Sequence, residues 1–142
     1  MTFLEALYGG QHHEIAQQGK DGNKGRLNGN IFLAVMVFLV ILIVFILLNK
    51  LDPSMGRSFQ RMLRKTFGHS SGRTMGKLIA LPLFFIIYVI INYTIGSAQR
   101  YAKTVAAFNE LPELEKKQAN KKLLLPFFVL LFTLVILMIT SL

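Results

Sequence analysis

The chain has 142 residues, of which 53% are apolar, and it carries 16 basic residues against 7 acidic ones. Cysteine is absent, which excludes a disulfide framework, a thiolate metal site and a thiol nucleophile. The formal charge of +9 accompanies no nucleic-acid recognition motif, so we predict no nucleic-acid partner. In a chain this apolar, an excess of basic residues is typical of membrane topology signals and of contact with lipid headgroups.

Residues 1–30 are predicted to form a polar tail that ends in a flexible linker. Thr2 and Glu5 have the spacing of a helix capping box, and the apolar residues beside them give a short helix one apolar face. A Gly-Gly pair after them is expected to end this helix. Residues 19–30 contain four glycines and three asparagines. Such a composition has little to bury and favours a flexible linker.

Three apolar blocks are each long enough to cross a membrane as a helix, and they span 31–48, 78–95 and 123–142. The first holds 18 residues without a polar side chain. At about 1.5 Å per residue it reaches about 27 Å, close to the ~30 Å of a hydrocarbon core. Pro82 and Pro126 each lie near the start of a block, where a missing N–H costs least. We therefore predict an all-α integral membrane protein in which residues 31–142 form a three-helix transmembrane domain.

The first connector contains a segment, 54–67, with the pattern of a basic amphipathic helix that lies on a membrane surface. Its apolar residues recur at helical spacing, and basic residues fill much of the remaining surface. We predict that this helix contacts anionic lipid headgroups. The residues assigned to this contact are Met55, Phe59, Met62, Leu63 and Phe67 on the apolar side, and Arg57, Arg61, Arg64 and Lys65 on the basic side.

The second connector, 96–122, is predicted to form a helical hairpin outside the membrane. Pro112 interrupts it, because the residue before a proline disfavours helical backbone and the proline itself suits the first position of a new helix. We expect a partner to cover an apolar stripe that precedes this break. The stripe consists of Tyr101, Val105 and Phe108. We also expect the Asn92 amide to bond to a partner helix.

The three apolar blocks hold no charged residue and no histidine, although ion pathways, proton relays and haem ligation through histidine require such side chains at membrane depth. No HExxH or Walker motif occurs in the chain, and GHSSG at 68–72 matches GxSxG in its letters alone, because it is predicted to lie in a flexible stretch and not in a strand–turn–helix. His12 and His13 are adjacent, so on a helix they point about 100° apart and do not make a two-histidine metal site. The sequence therefore predicts no enzyme activity, no metal site and no cofactor.

Three spans place the N-terminal tail and the second connector on one side of the membrane, and the first connector and the C-terminus on the other. The first pair of segments holds nine basic residues and the second pair seven. Because basic residues are enriched on the cytoplasmic side, these nearly equal counts favour a cytoplasmic N-terminus by a narrow margin. The alternative is a re-entrant second block that turns back at Pro82 and leaves both connectors on one side.

The polar surfaces, together with the absence of a predicted active site, favour an accessory or assembly subunit of a larger complex in the bacterial inner membrane. That complex could be respiratory, secretory or transport-related. The alternative is a lipid-binding or membrane-shaping protein that acts through the basic helix 54–67. The first hypothesis requires a larger integral membrane complex as partner, whereas the second requires anionic lipid.

Overall fold

The computed structural model describes residues 2–67 and 72–140 of the chain. Within these ranges the chain is all-helical, without a strand, as the sequence predicts. In the same ranges, a π-helical segment precedes seven α-helices. In chain order the elements are the π-helical segment Glu5–Gly9, α1 Gly10–Gln17, α2 Lys24–Leu51, α3 Pro53–Phe67, α4 Gly72–Tyr93, α5 Ala98–Asn109, α6 Glu113–Lys117 and α7 Ala119–Thr140.

Helix α2 is the centre of the apolar helices, because both α4 and α7 pack against it. It runs for 28 residues. At ~1.5 Å per residue this is about 42 Å, which exceeds the ~30 Å of a hydrocarbon core. Ala34 is fully buried, and its small side chain brings α4 close, so that Ile87 and Ile91 of α4 are buried beside it.

Helix α4 runs antiparallel to α2, and α7 runs parallel to it. The start of α2 meets the end of α4, where Asn30 Nδ2 donates a hydrogen bond to Asn92 Oδ1 at 3.2 Å. The ends of α2 and α7 meet each other, where Lys50 Nζ donates to Thr140 Oγ1 at 2.7 Å. The starts of α2 and α7 and the end of α4 therefore lie together at one end of the molecule.

A compact group of short helices covers that end, and we call it the head. It consists of the π-helical segment, α1, α5 and α6, which pack on one another or on the starts of α2 and α7. Helix α3 lies at the opposite end, because it follows the end of α2 directly. The head and α3 thus lie at opposite ends of α2.

Two helices are long and apolar enough to cross a membrane by themselves. They are α2 and Glu113–Thr140, which joins α6 to α7. A third crossing is available if Lys77–Tyr93 and α5 count as one broken span, although the chain bends by 68° between them. The helices thus fit two spans, or up to three, where the sequence predicts three.

The structure differs from the sequence prediction within the first thirty residues. Helix α2 begins at Lys24 rather than at residue 31, and the Gly-Gly pair expected to end a helix lies inside helical backbone that continues to Gln17. The predicted capping box does form, since Thr2 N donates to Glu5 Oε2 (3.1 Å) and Glu5 N donates to Thr2 Oγ1 (3.2 Å). The second half of the predicted linker is therefore the first two turns of α2.

Close packing on glycine explains this difference, because three of the four glycines in residues 19–30 are buried. An added Cβ at Gly29 would lie 2.6 Å from Cε1 of the Tyr8 ring, and one at Gly25 would lie 3.0 Å from the Tyr101 hydroxyl. Of these four glycines, Gly19 alone has the left-handed backbone, with φ of 74°, that a turn between α1 and α2 uses. Glycine composition predicts a linker, but here the missing side chains let two aromatic rings reach the backbone.

Candidate functional site

The apolar stripe of α5 is buried in a core that the chain forms by itself. Tyr101, Val105 and Phe108 are 4%, 7% and 1% exposed. The residues that cover them are Ala6, Leu7, Tyr8, Ala119 and Leu123. The Tyr8 and Tyr101 rings meet edge to face, with centroids 5.5 Å apart. This corrects the expectation that a partner covers the stripe, because the N-terminal segment, predicted to be a polar tail, covers it.

A polar network joins the head to the apolar helices at the boundary between them. Asn30 is fully buried, and its Oδ1 accepts a hydrogen bond from the Tyr8 hydroxyl at 2.6 Å. Asn30 Nδ2 donates to Asn92 Oδ1 (3.2 Å) and to the Gly96 carbonyl (3.3 Å). Arg26 Nε donates to the same carbonyl (2.7 Å), and its Nη2 donates to Asn92 Oδ1 (3.1 Å). Asn92, expected to bond to a partner helix, therefore bonds to α2 of its own chain.

This network satisfies the end of α4. The last carbonyls of a helix have no hydrogen-bond partner within it. The Arg26 guanidinium donates hydrogen bonds to the Asn92 and Gly96 carbonyls, and it adds the positive charge that a helix C-terminus favours. Burial raises the pKa of Tyr8 to about 12, although the nearby Arg26 charge acts to lower it. The Tyr8 phenol is thus neutral at physiological pH and keeps the proton that it donates to Asn30. The arrangement fastens α2 to the turn after α4.

Helix α3 begins at Pro53, one residue before the predicted basic helix. The Asp52 carboxylate accepts hydrogen bonds from the Ser54 hydroxyl and from the Ser54 N–H, which lowers the pKa of Asp52. An ionised carboxylate at this position favours the start of a helix. The negative charge of Asp52 thus lies at one end of α3, away from the cations that follow.

The cations of α3 are all exposed, and they are Arg57, Arg61, Arg64 and Lys65. On the apolar side, Met55 and Met62 are 46% and 56% exposed. Phe59 packs on Phe45 of α2, with ring centroids 5.5 Å apart, and Leu63 is half-buried. The Phe67 side chain, also assigned to lipid contact from the sequence, lies outside the described part of the structure.

The two adjacent histidines belong to the head and contact different side chains. Gln17 Nε2 and His13 Nε2 share a hydrogen bond of 3.0 Å, and the His13 ring lies 6.3 Å from the Phe108 ring. The His12 ring lies 6.3 Å from that of Tyr101. Among residues 2–67 and 72–140, no three His, Asp or Glu side chains form a group that could hold a metal ion.

Two or three helices that fit membrane spans, joined at one end by a folded head, are consistent with a multi-pass membrane protein. Comparison with protein-family models, with curated proteins and with solved structures finds no match to the chain. The features that bear on function are the ones described above: the head core, the polar network and the exposed face of α3.

Proposed function

We propose that the chain crosses the membrane three times, with α2, α4 and α7 as its spans. Support comes from the contact between Tyr8, before α2, and Tyr101, after α4, because two residues in contact lie on the same side of a membrane. If α2 crosses, the chain must cross back before α5, and α4 is the apolar helix available. The hydrogen bond between Lys50 and Thr140 at the other end agrees with a third crossing by α7. A re-entrant α4 fits neither contact.

The membrane that we propose is the bacterial inner membrane, with the head in the cytoplasm. Four lysines precede the apolar part of α7, and such residues favour retention on the cytoplasmic side. In intact cells a membrane-impermeant thiol reagent should label Thr140→Cys, whereas Thr2→Cys should react only after permeabilisation. The native chain has no cysteine, so each variant carries a single reactive thiol. Labelling of both positions from the same side would contradict an odd number of spans.

We propose that the protein has no chemistry of its own and acts at the membrane surface, where α3 binds anionic lipid. The observation that carries this proposal is that four cations and two methionine side chains of α3 are exposed, while the helix contains no acidic residue. Each basic residue near an anionic surface contributes about 1 kcal/mol, so four together contribute about 4 kcal/mol. That is enough to hold a short helix on the lipid headgroups.

Single dye labels on α3 test this proposal in nanodiscs that contain the full-length chain. An environment-sensitive dye at Met62→Cys should move to a less polar environment when anionic lipid replaces neutral lipid, and high salt should reverse the change. Gln60→Cys, on an exposed position of the same helix outside the apolar face, is the matched control and should change little. Replacing all four cations by Gln should remove the response. An equal response in neutral lipid would show that the electrostatic reasoning is wrong.

An accessory subunit of a larger inner-membrane complex is the second candidate, and Leu114 of α6 favours it. Leu114 is 75% exposed. It lies nine residues before Leu123 on nearly continuous helix, about 13 Å above the start of the apolar block at ~1.5 Å per residue. A leucine exposed so far from the hydrocarbon core offers a contact to another protein rather than to lipid.

Purification in mild detergent separates the two candidates. For a subunit, a large partner should co-purify in stoichiometric amount, and Leu114→Ser should release it. Leu51→Ser is the matched control, since Leu51 is 84% exposed but lies at the opposite end, and this variant should keep the partner. A chain that purifies alone, and whose α3 responds to anionic lipid, supports the lipid-surface function.

A further inference from the structure

A polar cleft and an apolar groove adjoin each other along α2, on the head side of the molecule. The cleft, of about 930 Å³, lies between α1 and the start of α2, and its charged lining residues are Glu14, Lys20, Asp21 and Lys24. The groove, of about 330 Å³, lies between α2 and α7, and its apolar lining residues are Ile31, Phe32, Val35 and Phe127. Asn28 lines both cavities, so the groove continues from the cleft.

The two cavities follow one face of α2 past the start of its apolar part. Lys24, Asn28, Ile31 and Val35 are spaced by four, three and four residues, which places them on the same face of a helix. Lys24 and Ile31 are about 10 Å apart along the axis at ~1.5 Å per residue. This distance is similar to the headgroup region of one leaflet, about 5–8 Å, which is half the difference between a whole bilayer and its hydrocarbon core. With α2 as a span, as we propose, the cleft lies at headgroup depth and the groove at the depth of the first acyl carbons.

We propose that the cleft and groove together bind one phospholipid whose headgroup is zwitterionic and carries a primary ammonium, as in phosphatidylethanolamine. Lys20 and Lys24 suit its phosphate, and Glu14 and Asp21 suit its ammonium, so both charges of the headgroup find a complement. The upper part of an acyl chain lies along the groove. An anionic headgroup has no positive charge to pair with the two carboxylates of the cleft, so it fits this site less well. This site is separate from the lipid surface of α3, which lies at the other end of α2.

The experiment is native mass spectrometry of the full-length chain, released from detergent after incubation with phosphatidylethanolamine, phosphatidylcholine or phosphatidylglycerol. We expect one molecule of phosphatidylethanolamine per chain, bound about tenfold more tightly than either of the other lipids. Phosphatidylcholine has the same charges but its quaternary ammonium cannot donate hydrogen bonds, so it isolates the contribution of the primary ammonium. Replacing the four cations of α3 by Gln should leave this binding unchanged.

Two variants test the two halves of the site. Glu14→Gln combined with Asp21→Asn should remove the tenfold preference, whereas Glu110→Gln, at an exposed carboxylate outside the cleft, should keep it. Ile31→Trp should fill the groove and weaken the binding of all three lipids by about tenfold. Its matched control is Val37→Trp, because Val37 is 40% exposed and Ile31 41%, but Val37 does not line the groove.

Equal retention of the three lipids by the native chain would overturn the proposal. Unchanged selectivity in the double carboxylate variant would overturn it as well. A preference for phosphatidylglycerol that is lost with the cations of α3 would assign the bound lipid to α3 instead, and would leave the function proposed for that helix intact. Failure of α3 to respond to anionic lipid, in turn, would not affect binding in the cleft.

Discussion

Truncating Phe108 to Ala should release the N-terminal segment from the head. The Phe108 side chain is 1% exposed, packs in the core with Ala6, Leu7 and Tyr8, and lies so close over Gly9 that no Cβ fits there. Truncation of a well-buried phenylalanine typically costs about 3–5 kcal/mol. This cost lowers the free energy of local opening of the N-terminal segment. Because about 1.4 kcal/mol corresponds to a factor of ten, the open population should rise about a hundredfold to a few thousandfold.

The reactivity of a single thiol at position 6 measures this opening. Ala6 is fully buried, so Ala6→Cys should react slowly with a maleimide while the head is closed. In the Phe108→Ala background the labelling rate should rise about a hundredfold to a few thousandfold, with the rate of an unfolded chain as its upper limit. Phe85→Ala is the control, because it removes the same atoms from a side chain that is 66% exposed on α4, and the rate should not change. Equal rates with and without Phe108→Ala would refute the packing argument.

Three further predictions concern the same region. Gly29→Ala should lower the free energy of unfolding of the head by about 1–3 kcal/mol, because the added Cβ would lie 2.6 Å from the Tyr8 ring. Gly10→Ala should be tolerated, because the carbon nearest to its added Cβ is 3.6 Å away. Asn30→Ala should cost about 1–3 kcal/mol by leaving buried partners unpaired, and the exposed Asn120→Ala should cost little in the same melting experiment. The raised pKa of Tyr8 contributes stability that is complete below pH ~10 and is lost as the pH rises towards 12, so the loss of stability between neutral pH and pH 12, measured for each protein relative to its own value at neutral pH, should be smaller in Tyr8→Phe.

Apolar length is enough to predict the long helices of this chain. The run 31–48 has no polar side chain, and the block 78–95 has few. Such a segment in a membrane is predicted to be a helix, because a helix satisfies its backbone hydrogen bonds within itself. The helix at 54–67 follows from periodicity in the same way. The start of α2 does not, because a glycine-rich stretch looks the same whether it is a linker or a surface on which rings pack. The rings of Tyr8 and Tyr101, which lie outside this stretch in sequence, distinguish a packing surface from a linker here.

The partner of an apolar stripe is the second feature that the sequence does not reveal. The spacing of Tyr101, Val105 and Phe108 indicates that one face of α5 is covered, and periodicity carries no information about what covers it. Residues 6–8, which do so, look like part of a polar tail because the residues after them are polar. Asn30 is a similar case, since an asparagine between glycines is typical of turns, and its burial depends on Asn92 in another helix.

The closure of the head has a consequence for biosynthesis, because it joins Tyr8 to residues that are made much later, such as Phe108. At about 5–20 residues per second, Phe108 leaves the ribosome about 5–20 seconds after Tyr8, and the N-terminal segment stays uncovered for that interval. Only a nascent chain whose intervening helices have crossed an even number of times returns α5 to the side where Tyr8 waits. A chain inserted with the wrong number of crossings would keep Ala6, Leu7 and Tyr8 exposed to chaperones and proteases. On the topology that we propose, the core of the head can close only in a chain that has inserted correctly.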